Sequence, residues 1–298
     1  MNSYIRLLRP SQWVKNLFVF APLIFSRNLF VPRPLLQTLE AFAAFCLISS
    51  SVYIINDIFD RSEDRAHPVK RERPIASGKI SVSAGAAMSV VLLAAAVVLS
   101  CFLPTRFFVL IVVYFAMQFF YSLALKQVVI LDIFIIAAGF MLRVIGGAEA
   151  ISVQVSSWII LCTMFLSLFL AAAKRRSELV LLKTSLLSAG LTDINNSIQR
   201  KVLKEYSLDF INYMMIISAT GMAISYALYT VAQRTVTVFG TEKLIFTTIF
   251  VLFGVFRYFY LVVNKGMGEN PVAILAKDLP TLMNLCLWFL ACLFIIYR

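Results

Sequence analysis

Long apolar runs alternate with short polar segments along the whole chain. Each run approaches the roughly 20 residues that a transmembrane α-helix needs, and the charged residues gather between the runs. The pattern predicts an all-α membrane protein with nine transmembrane helices. Their expected ranges are 13–31, 38–58, 83–103, 107–125, 130–150, 155–173, 211–231, 244–263 and 279–297.

Composition agrees with this pattern and excludes an ordinary water-soluble protein. Of the 298 residues, 61% are hydrophobic and 14% are charged, whereas about a quarter of a typical soluble domain is charged. The net charge of +12 resides in the segments between apolar runs, as in membrane loops, and does not indicate a nucleic-acid partner. We predict one integral-membrane domain over residues 1–298. Whether copies of the chain associate is left open by the sequence.

Lysine and arginine are distributed unevenly between the two sides of this membrane topology. With the N-terminus inside, the inner segments carry 19 of these residues and the outer segments carry 6. Because cytoplasmic loops are enriched in positive charge, we predict a plasma (inner) membrane protein with a cytoplasmic N-terminus and an external C-terminus. Both long loops, 59–82 and 174–210, then lie inside, so we expect a polar cavity and an active site that face the cytoplasm.

An acidic motif follows the second apolar run. On a helix, Asp57, Asp60 and Asp64 are spaced i, i+3, i+7 and share one face, with Asn56 beside them. Carboxylates on one stripe repel each other unless a cation lies between them, and Mg²⁺ commonly combines a few carboxylates with substrate phosphates. A solvated acidic helix end is the simpler alternative. At the mouth of a transmembrane helix, however, charges are usually functional.

A basic segment comes directly after the acidic motif. Lys70 and Arg73 belong to it, and such side chains bind phosphate oxygens as a point charge and as a bidentate fork. The segment is also what a topology signal would look like. Together with the acidic motif, it predicts a site for a magnesium-bound diphosphate.

At these residues the chain resembles the UbiA superfamily of intramembrane prenyltransferases. The family's first motif, Asn-Asp-x-x-Asp-x-x-x-Asp, is matched from Asn56 to Asp64. The resemblance is closer to one branch, the decaprenyl-phosphate phosphoribosyltransferases, and covers about the first 180 residues. The stretches that carry it are 8–16, 64–76, 121–126, 131–132, 139–143 and 174–179.

One departure from the broad family favours that branch. Typical members carry a second Asp-x-x-x-Asp cluster after the sixth span, where this chain has a basic segment that begins with Lys174 and Arg175 and ends at Glu178. A basic cluster can hold an anionic head group directly, which suits a lipid monophosphate as acceptor. A juxtamembrane topology signal is the alternative interpretation of these residues.

Further polar residues lie near the inner ends of the spans. Asp132 and Arg143 fall on one stripe of the fifth run, with Arg143 about 16 Å deeper; the stripe is either a cavity wall or the site of a buried ion pair. Lys126 is a candidate ligand of a diphosphate, with interfacial snorkelling as the alternative. Candidates for contact with the substrates are also Lys15, Asn16, His67 and Tyr121.

The resemblance implies a UbiA-like helical bundle that transfers 5-phosphoribose from phosphoribosyl diphosphate to a polyprenyl phosphate such as decaprenyl phosphate. It implies Mg²⁺ on Asp57, Asp60 and Asp64, with Asp57, Asp60 and Lys126 as the catalytic residues. One alternative is a prenyltransferase that moves a polyprenyl group from its diphosphate to an aromatic acceptor. A secondary transporter is a second alternative, but transporters place polar groups near the midplane, often with inverted repeats, and no repeat is evident here.

Overall fold

The computed structural model describes residues 3–66, 69–188, 201–268, 274 and 277–298. Helices joined by short turns make up these residues, and no β-strand occurs among them, which confirms the all-α prediction. The chain divides into two compact units. Unit 1 contains Met1–Ile24 and Asn28–Gln154, and unit 2 contains Phe25–Arg27 and Val155–Arg298.

The helices of unit 1 surround one long, buried helix. The short helix Arg61–Ala66 (α4) continues the acidic motif, a 3-10 helix begins the basic segment that follows it, and the unit contains two further 3-10 helices. In chain order the helices are α1 (Ser3–Leu8), a 3-10 helix (Pro10–Phe20), α2 (Ala21–Phe25), α3 (Pro32–Phe59), α4 (Arg61–Ala66), a 3-10 helix (Lys70–Glu72), α5 (Val82–Ser100), α6 (Thr105–Leu123), a 3-10 helix (Leu125–Gln127) and α7 (Leu131–Ala150).

Helices α3 and α7 lie innermost in this unit. In the apolar window of each, 61% of residues are buried, against 17% for α5, whose Val90, Val91 and Val98 are exposed. Phe45 of α3 anchors the core by packing edge-on against Phe107 and Tyr114 of α6, with ring centroids 5.9 and 5.4 Å apart. Such aromatic pairs add roughly 0.5–1.5 kcal/mol beyond their buried area.

The first predicted span is not one continuous helix. Residues 13–31 comprise most of the 3-10 helix Pro10–Phe20, the short α2 and a turn. The 3-10 helix packs on both α3 and α7, and its close approach depends on Gly147, where an added Cβ would lie 2.1 Å from the carbonyl oxygen of Val19. The 3-10 helix is therefore packed within unit 1.

Unit 2 begins with its longest helix. A glycine in the second helix allows close packing on the first, since a Cβ at Gly221 would come within 2.8 Å of the Phe165 ring. In chain order the elements are α8 (Ser157–Ser188), a 3-10 helix (Lys201–Lys204), α9 (Leu208–Val231), α10 (Gln233–Phe239), a 3-10 helix (Lys243–Thr247), α11 (Thr248–Asn264) and α12 (Leu279–Tyr297).

Within the described residues, 8 helices are long and apolar enough to cross a membrane. They correspond to the predicted spans from the second to the ninth, so the count of nine stays a prediction. Residues 174–188, expected in a loop, instead continue α8. Hydropathy locates where a helix leaves the apolar layer, whereas lysine, arginine, glutamate and leucine are good helix formers that extend the helix beyond it.

Candidate active site

The acidic motif lies at the end of α3 and continues into α4. Helical hydrogen bonds run through the junction, since the amide of Asp60 donates to the carbonyl of Asn56 at 2.9 Å and the amide of Asp64 donates to that of Asp60 at 2.8 Å. The predicted helical spacing is thus largely retained although the helix is interrupted at Asp60. Asp60 and Asp64 both remain within electrostatic range of Asp57. We call Asp57, Asp60 and Asp64 the aspartate cluster.

Arg73 joins two members of the aspartate cluster. Its Nη1 donates to Asp57 Oδ1 at 3.1 Å and to Asp64 Oδ2 at 2.6 Å, and both aspartates are almost fully buried. Arg9 is a second donor to Asp57 and stacks over the ring of Tyr53, 5.1 Å from its centroid. Charged hydrogen bonds of this kind compensate the cost of burying the carboxylates.

The third aspartate has a different cationic partner. Lys126, in the 3-10 helix after α6, donates to Asp60 Oδ1, and the lysine side chain is only 10% exposed. The structure therefore brings together five of the predicted site residues, each carboxylate facing a cation. Those five are Asp57, Asp60, Asp64, Arg73 and Lys126.

The donor chemistry of the aspartate cluster suits a hard divalent cation. No group of three or more His, Cys, Asp or Glu side chains in the described part of the chain is arranged to hold a metal ion. Two carboxylates nevertheless converge on one nitrogen, Arg73 Nη1. Mg²⁺ commonly takes one or two protein carboxylates when substrate phosphates and water complete its shell, so the residues fit a metal that arrives with a diphosphate.

Arg143 is buried in the middle of α7 and has only neutral partners. Its Nε donates to Asn16 Oδ1, its Nη1 to the carbonyl of Gly139 and its Nη2 to the hydroxyl of Tyr114, each at 2.7 Å. The rings of Phe45, Tyr114 and Phe140 surround the guanidinium. Among the described residues, Arg143 forms no ion pair with an acidic side chain. The structure therefore does not support the interpretation of Arg143 as part of a buried ion pair.

Asn16 and Trp13 attach the 3-10 helix to α3. The Asn16 amide donates to Cys46 Sγ at 3.2 Å and to Ser49 Oγ at 3.3 Å. The Trp13 indole donates to Ser50 Oγ at 3.0 Å, so this tryptophan has a polar partner within the protein. These contacts hold the intervening Lys15, which is half-buried, in place.

The other candidates of unit 1 lie on the same elements. Asn56 is half-buried in the last turn of α3, Tyr121 lies near the end of α6, and Lys70 begins a 3-10 helix. Asp132 is fully buried in the first turn of α7. His67 lies outside the described residues.

In unit 2, the second predicted basic segment, from Lys174 to Glu178, lies on α8. Arg175 is fully buried and its Nη1 donates to Glu178 Oε2 at 2.6 Å. Lys174 is more exposed and lies 3.8 Å from Glu178 Oε1. Arg176 instead joins helices, donating to Asn212 of α9 and to the carbonyl of Val262 of α11 at 2.9 and 3.0 Å.

Two features were not predicted. The sequence places Arg9 only within a stretch that resembles the family and does not indicate a role for its side chain. Its contact with Asp57 joins residues 48 positions apart, which no local pattern predicts. In unit 2, Arg257 forms two hydrogen bonds to Asp278, from Nη2 to Oδ1 at 2.7 Å and from Nε to Oδ2 at 3.1 Å. These bonds, with those from Thr281, hold the pKa of Asp278 well below its ordinary value.

Comparison with known proteins shows relatives over nearly the whole chain. The sequence model of the UbiA prenyltransferase family matches residues 18–266. A decaprenyl-phosphate phosphoribosyltransferase of Mycolicibacterium smegmatis is 31% identical over 287 residues, covering 93% of this chain and 87% of that protein. One of Corynebacterium glutamicum is 36% identical over 233 residues, covering 76% of this chain and 67% of that protein.

The fold has a close counterpart among solved structures. A UbiA homologue from Archaeoglobus fulgidus, bound to GPP and Mg²⁺, aligns with a TM-score of 0.73 at 18% identity and covers 100% of both chains. This likeness extends through the last third of the chain, where the sequence offered no motif, and confirms the predicted UbiA-like fold.

Proposed function

The chain belongs to the UbiA prenyltransferase family and is therefore a multi-pass membrane transferase, and on that premise we propose that it transfers 5-phosphoribose from phosphoribosyl diphosphate to a polyprenyl phosphate. The relatives from Mycolicibacterium smegmatis and Corynebacterium glutamicum are named decaprenyl-phosphate phosphoribosyltransferases, which supports the transferred group and the lipid acceptor. The observation that carries the proposal is the pairing of the aspartate cluster with Arg9, Arg73 and Lys126, since this one place supplies ligands for a metal and for a diphosphate.

A divalent cation is part of this proposal. Asp57, Asp60 and Asp64 would hold Mg²⁺ together with the diphosphate of the donor, and the metal would neutralise negative charge on the leaving group. The Archaeoglobus fulgidus homologue was solved with Mg²⁺, which supports the assignment. With Mg²⁺ held there, Arg9, Arg73 and Lys126, which are paired with these carboxylates in the structure, would be available to phosphate oxygens.

The proposed reaction exchanges one oxygen for another at C1 of the ribose. The bond from C1 to the diphosphate breaks, the electron pair leaves with the diphosphate, and a bond forms from C1 to an oxygen of the lipid phosphate. Glycosyl transfer passes through an oxocarbenium-like state, so stabilising the leaving group matters most. Lys70, Arg73 and Lys126 would donate to the diphosphate as charge develops on it.

No general base is required in this scheme. Phosphate monoesters have a second pKa near 6, so the acceptor is already largely a dianion at neutral pH. The polyprenyl tail of the acceptor would extend sideways between helices. Asn56, His67, Tyr121 and Asp132 are the further residues proposed to contact the substrates.

The acceptor phosphate is assigned to the basic segment Lys174 to Glu178 of α8. Because Arg175 is buried against Glu178, Lys174, whose side chain is 41% exposed, is the group that we expect to reach the phosphate first. Glu178 then acts as a positioning residue that holds Arg175. We place this chemistry on the cytoplasmic side of the plasma membrane.

The direct test supplies purified protein with radiolabelled phosphoribosyl diphosphate, decaprenyl phosphate and Mg²⁺. Formation of a labelled lipid is the expected result. Asp57→Asn and Asp60→Asn should each lower the rate at least roughly a hundredfold, the scale for losing one charge-stabilising group at a reaction centre. Glu63→Gln, which changes an exposed carboxylate on the neighbouring helix, is the matched control and should retain activity. Near-normal rates in both aspartate variants would remove the metal assignment.

The same assay, with other substrates, distinguishes the proposed function from the prenyltransferase alternative. There the protein would receive a polyprenyl diphosphate and an aromatic acceptor. A prenylated product, together with no labelled lipid from phosphoribosyl diphosphate, would overturn the proposed donor and acceptor while leaving the family assignment intact.

A further inference from the structure

Arg143 and Lys15 are two cations of unit 1 that no acidic side chain balances among their described contacts. The three hydrogen bonds of Arg143 go to an amide, a backbone carbonyl and a phenol. Lys15 has no ion pair or hydrogen bond to a described residue, and both Arg143 and Arg9 repel its ammonium group electrostatically. A buried charge without an opposite charge is costly and usually marks a functional site in a membrane protein.

The contrast with the aspartate cluster is informative. There, each buried carboxylate has a cationic partner within 3.1 Å. Arg9 is already paired with Asp57, whereas Lys15 and Arg143 have no carboxylate partner among their described contacts, so these two cations are in excess locally. Such an arrangement has a favourable potential for an anion that comes from outside the chain.

The geometry also leaves N–H groups of Arg143 without a hydrogen-bond partner among the described residues. A guanidinium carries five N–H groups, and three of those of Arg143 are used by Asn16, Gly139 and Tyr114. Arg143 is almost fully buried, whereas Lys15 is half-buried. Lys15 is thus the group that can touch a ligand. Arg143 positions Asn16, and with it the 3-10 helix that carries Lys15, and adds its charge to the local field.

We propose that Lys15, positioned by Arg143 and Asn16, forms a phosphate-monoester subsite separate from the diphosphate site at the aspartate cluster. The inference rests on the proposed function, because both of its substrates carry such a group, the 5-phosphate of the donor and the phosphate of the lipid. The donor is favoured, since the subsite and the aspartate cluster lie in one unit and both are in contact with α3. Asn16 contacts Ser49 and Arg9 contacts Asp57, eight residues or about 12 Å apart along α3.

The first experiment measures binding without turnover. The full chain in lipid nanodiscs is titrated with radiolabelled inorganic phosphate in the presence of a chelator that removes divalent cations. Lys15→Gln should weaken phosphate binding roughly tenfold or more, the scale of a lost charged hydrogen bond. Arg106→Gln is the control, because Arg106 is an exposed cation of the same unit that lies 3.9 Å from Glu149, and it should leave binding unchanged.

Asn16→Asp tests the charge argument without removing a cation. The new carboxylate would lie against Arg143 Nε and balance it from within the protein. It should lower phosphate affinity about as much as Lys15→Gln. A merely structural role for Asn16 and Arg143 predicts the reverse, unchanged affinity with an altered unfolding temperature, and would overturn the inference.

Steady-state kinetics identify the source of the phosphate. If the donor uses the subsite, Lys15→Gln should raise the KM for phosphoribosyl diphosphate roughly tenfold and leave the KM for decaprenyl phosphate unchanged. The opposite split would assign the subsite to the lipid phosphate. Ribosyl diphosphate that lacks the 5-phosphate should not distinguish Lys15→Gln from wild type in the first case.

Failure of this inference and failure of the proposed function give different results. Wild-type protein that makes labelled lipid, with phosphate affinity and both KM values within twofold in Lys15→Gln and Asn16→Asp, would overturn the subsite alone. Protein that makes no labelled lipid but binds phosphate in a Lys15-dependent manner would overturn the proposed reaction and retain the anion subsite.

Discussion

At the scale of single residues, Arg9 combines an unusual backbone conformation with a contact in the site. Its φ of 53° and ψ of 58° place it in the left-handed region, which costs a residue with a side chain about 1–2 kcal/mol relative to ordinary helical geometry. The side chain offsets that cost by donating to Asp57 and stacking on Tyr53. The backbone is thus bent in the way that directs the guanidinium to the aspartate cluster.

Two substitutions of Arg9 separate the effect of the backbone conformation on stability from the effect of the guanidinium on activity. Because glycine adopts this conformation freely, Arg9→Gly should be more stable than Arg9→Ala by about 1 kcal/mol, measured by thermal unfolding in detergent. Both variants lack the donor to Asp57, so both should lose transferase activity to the same extent.

Arg27 supplies the control for that comparison. It also has a positive φ, 60°, but it is exposed. Arg27→Gly and Arg27→Ala should differ in stability by a similar amount and keep full activity. Equal stability of the two Arg9 variants would contradict the backbone argument, and full activity in both would remove Arg9 from the site.

At the scale of elements, the contact between α7 and the 3-10 helix Pro10–Phe20 positions Lys15 and Asn16. Gly147 permits it, since an added Cβ would meet backbone atoms of Val19 that cannot rotate away. Gly147→Ala should destabilise the protein by about 1–3 kcal/mol, the usual cost of overpacking, and should raise the KM for the substrate that Lys15 binds.

Gly254→Ala in α11 is the matched control for Gly147. Its added methyl group would meet only the end of the Asn284 side chain, at 3.2 Å, which can move. A loss of stability in Gly147→Ala no greater than that in Gly254→Ala would show that α7 and the 3-10 helix adjust to the extra atom.

The start of α12 depends on charge rather than on packing. Asp278 caps this helix through the amide of Thr281 at 3.0 Å and also binds Arg257, and these bonds lower its pKa. A lowered carboxyl pKa means that the stabilisation is fully present above the ordinary value, about 3.9, and is lost as pH falls through the lower folded value.

Asp278→Asn should therefore be less stable than wild type by an amount that stays constant from neutral pH to about pH 4 and shrinks only in stronger acid. Thermal unfolding across this range measures the difference. Asp209→Asn, at an exposed position in the first turn of α9, should have a much smaller effect. A difference that already declines near neutral pH would contradict the lowered pKa.

At the scale of the whole molecule, the predicted orientation is tested with a native cysteine. Cys101 is exposed at the end of α5, on the side predicted to be external. A membrane-impermeant maleimide should label it in intact cells, and Cys101→Ser should abolish that label. In the Cys101→Ser background, Ser62→Cys, at an exposed position of α4, should be labelled only after permeabilisation. The reverse pattern would invert the topology.

The sequence by itself determined the helical membrane fold and the approximate positions of eight spans, and it predicted where the chemistry lies. The hydropathy pattern predicts the fold, because backbone crosses an apolar layer only as helices or closed barrels. Charged residues within such a layer are rare and usually functional, so they mark candidate sites. The spacing of Asp57, Asp60 and Asp64 along one helix is likewise a local property, which is why the acidic motif could be identified before any contact was known.

The tertiary structure alone decided the partners of these residues. It assigned Arg9 and Arg73 to Asp57, gave Lys126 to Asp60 and left Arg143 among neutral acceptors. It also made the beginning of the first apolar run a 3-10 helix that packs on α3 and α7. Contacts between residues 48 or 127 positions apart depend on how helices pack, and neither the period of a helix nor the hydropathy of a segment contains that information.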